Sequence, residues 1–206
     1  MQPKKITLRA AAANDNDDGT AVRILDIAQE LFQTHGYNGI SYQDIADRVG
    51  IRKASIHHHY AAKADLAAAV VRRYRDVWNR FLDGIDQTNG DAWKKLDAYL
   101  DPFRSTALTG DRACLCGVLG AEFASLAIPV RKEVRQFFAQ NEAWLSRLLA
   151  AGRAAGSFSF TGTPDSEAGV LFACLEGSLL VVRACGAAKR FENVVGQLKA
   201  QLRNGN

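Results

Sequence analysis

The sequence predicts an all-α protein: an N-terminal three-helix helix-turn-helix domain followed by a C-terminal helical bundle, about nine helices in all. Three observations carry this. From Thr20 onward apolar residues recur at the three- and four-residue spacing of amphipathic helices. No alternating run bounded by turn residues argues for a sheet. Only four prolines interrupt 206 residues.

Residues 1 to 19 are rich in Ala, Asn and Asp, lack an apolar period, and read as a disordered arm. The first helix is expected over residues 20–35, with Thr20 as cap and Gly36 as left-handed stop. Its stripe is Ile24, Ile27, Ala28, Leu31 and Phe32. The second helix starts at Ser41. Asp44, three residues on, gives a capping-box variant with Asp in place of Glu or Gln. Ile45, Ala46 and Val49 face inward and Gly50 ends the helix. A short third helix follows over 53–59. A fourth runs from Lys63 to about Ile85, with Leu66, Val70, Val77 and Phe81 on one side. Further helices are expected over 91–105, 112–126, 129–151, 165–185 and 188–202, with Pro129 in a first turn where its missing N–H costs nothing. Residues 156–164 form a loop.

Composition bounds the class. The chain is 48% hydrophobic and 23% charged, as for a globular protein. No membrane-spanning run and no signal-peptide core stand out, so a cytoplasmic location is the default. Cys114, Cys116, Cys174 and Cys185 are then expected as thiols. The net charge of +4 says little, but its distribution says more. Between Arg48 and Ala64 lie Arg48, Arg52, Lys53, Lys63 and three histidines, with no Asp or Glu. Such a basic stretch suits phosphate contact, or simply a solvated face. Two short helices joined by Gly50-Ile51-Arg52 fit a helix-turn-helix. Ile51 and Ile56 would plug the gap between them, and the third helix would present polar and small residues to a major groove.

The string from Ser41 to Leu66, SYQDIADRVGIRKASIHHHYAAKADL, resembles the DNA-binding signature of the TetR family of bacterial repressors. The preceding AQELFQTHGYNGI, Ala28 to Ile40, is similar to that family's first helix and glycine-bounded turn. Three positions depart from the family's habit: Ala54 for Gly or Pro, His57 for Tyr, and Tyr60 for Phe. The resemblance implies a repressor that holds double-stranded operator DNA, forms a homodimer and is released by a small-molecule effector. It divides the chain into the arm (1–19), a DNA-binding domain (20–66) and a ligand-binding and dimerisation domain (67–206). Chemistry then suggests roles. Ser41, at a helix N-terminus, suits a phosphate oxygen, with Tyr42 beside it. Arg52, His58 and Lys63 would clamp the DNA backbone. Lys53, Ala54, Ser55 and His57 sit where base edges would be reached. A protonated His57 would hold phosphate more strongly, making binding pH-dependent. Lys4, Lys5 and Arg9 either reach an adjacent groove or form a solvated tail.

Around the expected pocket, the candidates are Trp78, Phe81, Phe103, Cys114, Val118, Phe123, Phe137, Asn141 and Trp144, though such residues equally build a plain bundle core. Their apolar character favours a hydrophobic effector. Glu122 and Glu176, in apolar surroundings, are either polar anchors or surface or paired carboxylates. Cys174, Gly177, Ser178 and Val181 make a small-residue face for dimerisation. Phe191, Val194, Val195, Leu198 and Leu202 add an apolar stripe that serves the same interface or intramolecular packing. Cys114 and Cys116, two apart on a helix, would point about 200° apart and so neither pair nor chelate. An alternative reading makes Cys114 a thiol sensor of electrophiles or oxidants, with Arg112 nearby to lower its pKa. No metal or cofactor is expected. His57, His58 and His59 diverge by about 100° per residue, and the phosphate-loop, zinc and nucleophile-elbow motifs of enzymes are missing from the sequence.

Overall fold

The computed structural model describes residues 16–204; the expected N-terminal arm, with Lys4, Lys5 and Arg9, lies outside them apart from its last residues. Among the described residues there are nine α-helices and no strand. They are α1 (Asn16–His35), α2 (Tyr42–Val49), α3 (Lys53–His59), α4 (Lys63–Asp86), α5 (Ala92–Thr109), α6 (Leu115–Ala121), α7 (Ile128–Ala154), α8 (Pro164–Cys185) and α9 (Lys189–Asn204). A single 3-10 turn, Phe123–Ser125, follows α6.

Local chemistry explains most boundaries. Ser41 and Asp44 form the reciprocal capping box, and Gly50 closes α2 at φ +78°. Asp91 caps α5 by accepting from the Lys94 N–H at 2.9 Å. Pro129 falls in the first turn of α7. Thr20 is no cap, because α1 begins four residues earlier and places it inside the helix. α5 passes through Pro102 and ends at Thr109, beyond the expected Ser105. A mid-helix proline removes a hydrogen bond and costs about 3 kcal/mol. Burial of Tyr99, Leu100, Phe103 and Ala107 on the same helix offsets it.

The chain forms two compact units. The first contains residues to Val77 together with Leu115–Arg135. In it α1 packs on α2 and α6, and α2 on α3. Ile24, Ala28, Phe32, Ile45, Ala46, Ile56 and Leu66 are fully enclosed. Buried Glu133 on α7 pairs with Arg75 at 2.7 Å and Arg72 at 3.2 Å on α4.

The second unit contains Trp78–Cys114 and Gln136–Asn206. Here α5, α8 and α9 pack against one another. Its centre is aromatic and holds one polar knot. Asn141, fully buried, accepts at Oδ1 from Trp78 Nε1 (2.7 Å) and from the Tyr99 hydroxyl (3.0 Å). Its Nδ2 donates to the Phe137 carbonyl at 2.8 Å. One amide thus satisfies two buried donors.

α8 is two-faced. Leu171, Phe172, Leu175, Leu179 and Val182 point inward, whereas Val170, Ala173, Gly177, Leu180, Val181 and Ala184 are exposed. Contrary to expectation, Ser178 is not on the outer small-residue face. It is buried, and its hydroxyl donates to the Leu175 carbonyl at 2.8 Å. By length and composition α8 is apolar enough to cross a membrane, against the expectation of no such run. Its inward face is accounted for by α5 and α9. On α9, Phe191, Val195, Leu198 and Leu202 are buried within the unit and Val194 is half-buried, so that stripe serves intramolecular packing.

Candidate DNA-binding interface

α3 is a seven-residue helix held by its one buried side chain, Ile56. Gly50, in left-handed backbone, lets its own N–H and that of Ile51 both reach the Ala46 carbonyl, at 2.8 and 3.1 Å. The chain then turns sharply into Arg52, the extended residue before α3. With Ile56 inward, Arg52, Lys53, Ala54, His57 and His58 are exposed and Ser55 is half-buried. This is a compact basic surface on a closed apolar base, the form a groove-reading helix needs.

Each expected contact residue has a definite placement. Arg52, Lys53, Ala54, Ser55, His57 and His58 come together on this face. His57 Nδ1 lies 3.2 Å from the Ala61 carbonyl oxygen. That oxygen only accepts, so Nδ1 carries the hydrogen, and in the neutral ring Nε2 is then an acceptor. The Ser41 hydroxyl is engaged internally, donating to Asp44 Oδ2 at 2.8 Å and accepting from the Asp44 N–H at 3.4 Å. The Ser41 backbone N–H, which donates to the same Oδ2 at 2.6 Å, and then the Ser41 hydroxyl hold the Asp44 carboxyl below the usual carboxylate range.

Two expected contacts are corrected. Tyr42 is buried, with its hydroxyl donating to the Tyr60 carbonyl at 2.9 Å and its ring 4.7 Å from that of His57. Burial, with Asp65 adding to it, pushes its phenol up to about 12. Tyr42 therefore seats His57 rather than presenting itself. Lys63 is turned inward too. Its ammonium donates to the Ile40 carbonyl and sits 4.5 Å above the Tyr37 ring. Burial lowers its pKa, while Glu122 and Asp44 pull it back up. It braces the turn between α1 and α2, and a freely reaching phosphate clamp is not what its surroundings describe.

That turn is also gripped by a residue whose role the sequence leaves open. Glu122, just after α6, accepts the Tyr37 N–H at 2.5 Å and the Asn38 N–H at 3.3 Å on Oε2. Asn38 Nδ2 donates to Ser125 Oγ at 2.8 Å. Gly36 makes room for this. Its φ is +78°, and an added Cβ would sit 2.7 Å from Glu122 Oε1. Glu122 is thus a cap on the α1–α2 turn, and not an anchor in an apolar pocket. The only signal available in the sequence is an acidic residue closing an apolar run.

The residues expected around an effector separate between the two units. Trp78, Phe81, Phe103, Cys114, Phe137, Asn141 and Trp144 belong to the second. Trp78 has the rings of Phe81, Phe103, Phe137 and Tyr99 within 5.2 to 6.0 Å, and Tyr99 stacks on Trp144 at 5.1 Å. Phe81 is only half-buried, because α4 turns Trp78 and Leu82 inward instead. Val118 and Phe123 belong to the first unit. Phe123 lies under the guanidinium groups of Arg135 and Arg131, at 4.9 and 5.5 Å. Cys114 is not on a helix with Cys116; it precedes α6. It is buried and hydrogen-bonds the Glu176 carboxyl, whose Oε1 is enclosed without a partner. Burial pushes Glu176 up to about 7, against the lowering effect of that hydrogen bond. Tyr99, wholly buried and facing both groups, is raised well above the ordinary phenol value.

This geometry has counterparts among known proteins. The family "Bacterial regulatory proteins, tetR family" matches residues 24–70. "Tetracyclin repressor-like, C-terminal domain" matches residues 92–198, half of the chain. The chain belongs to the TetR family. A TetR-family transcriptional regulator from Agrobacterium tumefaciens superposes with a TM-score of 0.87 at 33% identity, over 91% of this chain and all of that one. The HTH-type transcriptional repressor DhaR of Mycobacterium sp. (strain GP1) is 24% identical over 76% of this chain and 79% of its own length. The HTH-type transcriptional repressor NemR of Escherichia coli (strain K12) is 24% identical over 87% of this chain and 92% of its own. As a TetR-family member the protein is a DNA-binding transcriptional regulator, and its relatives are regulators rather than enzymes.

Proposed function

We propose that the protein represses transcription in the cytoplasm as a homodimer that a small, largely hydrophobic effector releases from operator DNA. The observation that carries this is the outward face of α3 on its Ile56 base. Arg52 and His58 are the backbone clamps, and Lys53, Ala54, Ser55 and His57 read base edges. Lysine donates to guanine, and the Ala54 methyl meets the thymine methyl. A neutral His57, with its Nε2 acceptor, suits the amino group of adenine or cytosine. Ser41 contributes its exposed helix N-terminus more than its hydroxyl. The exposed apolar face of α8 is the dimer surface. A two-fold homodimer engages two half-sites, so the operator is a near-palindrome.

Release is a coupling between effector and DNA that acts equally in both directions. Chain continuity supplies a route for it. Cys114 in the second unit leads directly into α6, and α6 is followed at once by Glu122 with its hold on the α1–α2 turn. The thiol-sensor alternative draws less support, since the Cys114 thiol is buried and hydrogen-bonds a carboxyl, a setting that does not favour the thiolate.

Two alanine variants test the interface by fluorescence anisotropy on operator and scrambled duplexes. Arg52→Ala is expected to weaken both duplexes alike and to reduce the salt slope by about 1. Lys53→Ala is expected to cost about 1–3 kcal/mol on the operator and much less on the scrambled duplex. Wild-type binding by both variants would remove α3 from the interface.

A further inference from the structure

We propose that the second unit's effector is an organic cation, an aromatic body bearing a protonated amine, whose ammonium rests on the Glu176 carboxyl beside Cys114 and Tyr99. This rests on the reading that the second unit is the effector domain, and it names the ligand class. The acceptor at the centre of that core is occupied. Asn141 Oδ1 already takes two donors, Trp78 Nε1 and the Tyr99 hydroxyl. Glu176 Oε1 takes none and is shut away from solvent. A buried acceptor left unmatched costs free energy that a ligand donor would recover.

The surroundings select a cation over a neutral donor. Within one turn of Glu176 along α8 the side chains are apolar or small, with Phe172, Ala173, Leu179 and Leu180 flanking it, so an ionised carboxylate there has no counter-charge beside it on that stretch of the helix. Tyr99, facing Glu176, is packed in an aromatic cluster, stacked on Trp144 at 5.1 Å and with Phe103 at 5.4 Å. Aromatic faces attract cations, the more so when water is excluded. A neutral alcohol would satisfy one oxygen and leave the charge uncompensated; an ammonium does both. An anionic effector would be repelled. The carboxyl, raised to about 7 by burial, ionises readily once a cation arrives. The same event bears on α6, because the ammonium competes with the Cys114 thiol for Glu176, and Cys114 is the residue immediately before that helix.

The test uses the full chain bound to its operator and two isosteric probes, naphthylmethylamine and naphthylmethanol. Calorimetry reads their affinities, and anisotropy reads release of the DNA. The amine should bind at least tenfold tighter than the alcohol and release the operator. Glu176→Gln should abolish the difference between the two probes. An alcohol that matches the amine, or a Glu176→Gln variant that keeps the preference, overturns the cation assignment. If the alcohol still binds and releases DNA, the effector reading survives that failure. If neither probe binds, the cation assignment falls, and quenching of Trp78 and Trp144 fluorescence by uncharged aromatic solutes decides the effector reading separately.

Discussion

Glu176→Gln is expected to stabilise the protein by about 3 kcal/mol at pH 8 and to leave it nearly unchanged at pH 4. The sign follows from proton binding. Burial raises the folded-state pKa of Glu176 from 4.5 to about 7. Between those values the folded chain holds a proton that the unfolded chain has lost. Stability therefore falls as pH rises through that window and stays reduced above it. Each pKa unit corresponds to about 1.4 kcal/mol, so a shift of this size costs about 3 kcal/mol in the ionised state. Glutamine keeps the shape and can still accept from Cys114, but it never ionises. For a chain of this length the gain at pH 8 appears as a melting temperature higher by roughly 6–12 °C. Thermal melts of both proteins at pH 4 and pH 8 read the difference. An equal separation at both pH values would mean that Glu176 is not held uncharged by burial.

The second large effect falls on α3. Ile56→Ala removes the single buried side chain of a seven-residue helix. Truncating a fully enclosed isoleucine costs about 2–5 kcal/mol, through lost burial and the cavity left behind. A helix this short has little stability of its own and depends on packing for its place. Operator binding should therefore collapse although Ile56 touches no DNA, and the second unit should keep its native tryptophan emission. Anisotropy with the operator, paired with a thermal melt, checks both parts. Undiminished operator affinity would show that α3 is anchored by something other than Ile56.

What the sequence discloses and what it hides divide along a physical line. Signals that act between neighbours are legible. The Ser41–Asp44 pair, Gly50 and Pro129 mark helix ends with groups a few residues apart, and the apolar period of α7 puts Val134, Phe137, Asn141 and Leu145 on one buried side. Signals that depend on distant partners are not. Lys63 belongs by charge to the basic stretch, yet the Ile40 carbonyl and the Tyr37 ring draw it inward. Tyr42 sits beside the capping serine and still turns toward Tyr60. Glu122 meets amides 85 and 84 positions away, and Glu176 is buried against a thiol from another part of the chain. α5 continues past Pro102 because the packing of its flanking residues outweighs a local stop signal. The outward face of α3 is legible as well, since a single inward Ile56 dictates which residues face out, and the resemblance to the TetR signature marks that helix as the one to read.

The central claim is that α3 holds a specific duplex. It is tested most directly by titrating the full chain with DNA from upstream of its own coding sequence, beside a scrambled duplex of equal length, over 50–200 mM salt. Preference for the upstream duplex by a factor on the order of 10³ or more is expected, with log affinity falling linearly against log salt. Equal affinity for both duplexes at every salt concentration would contradict it.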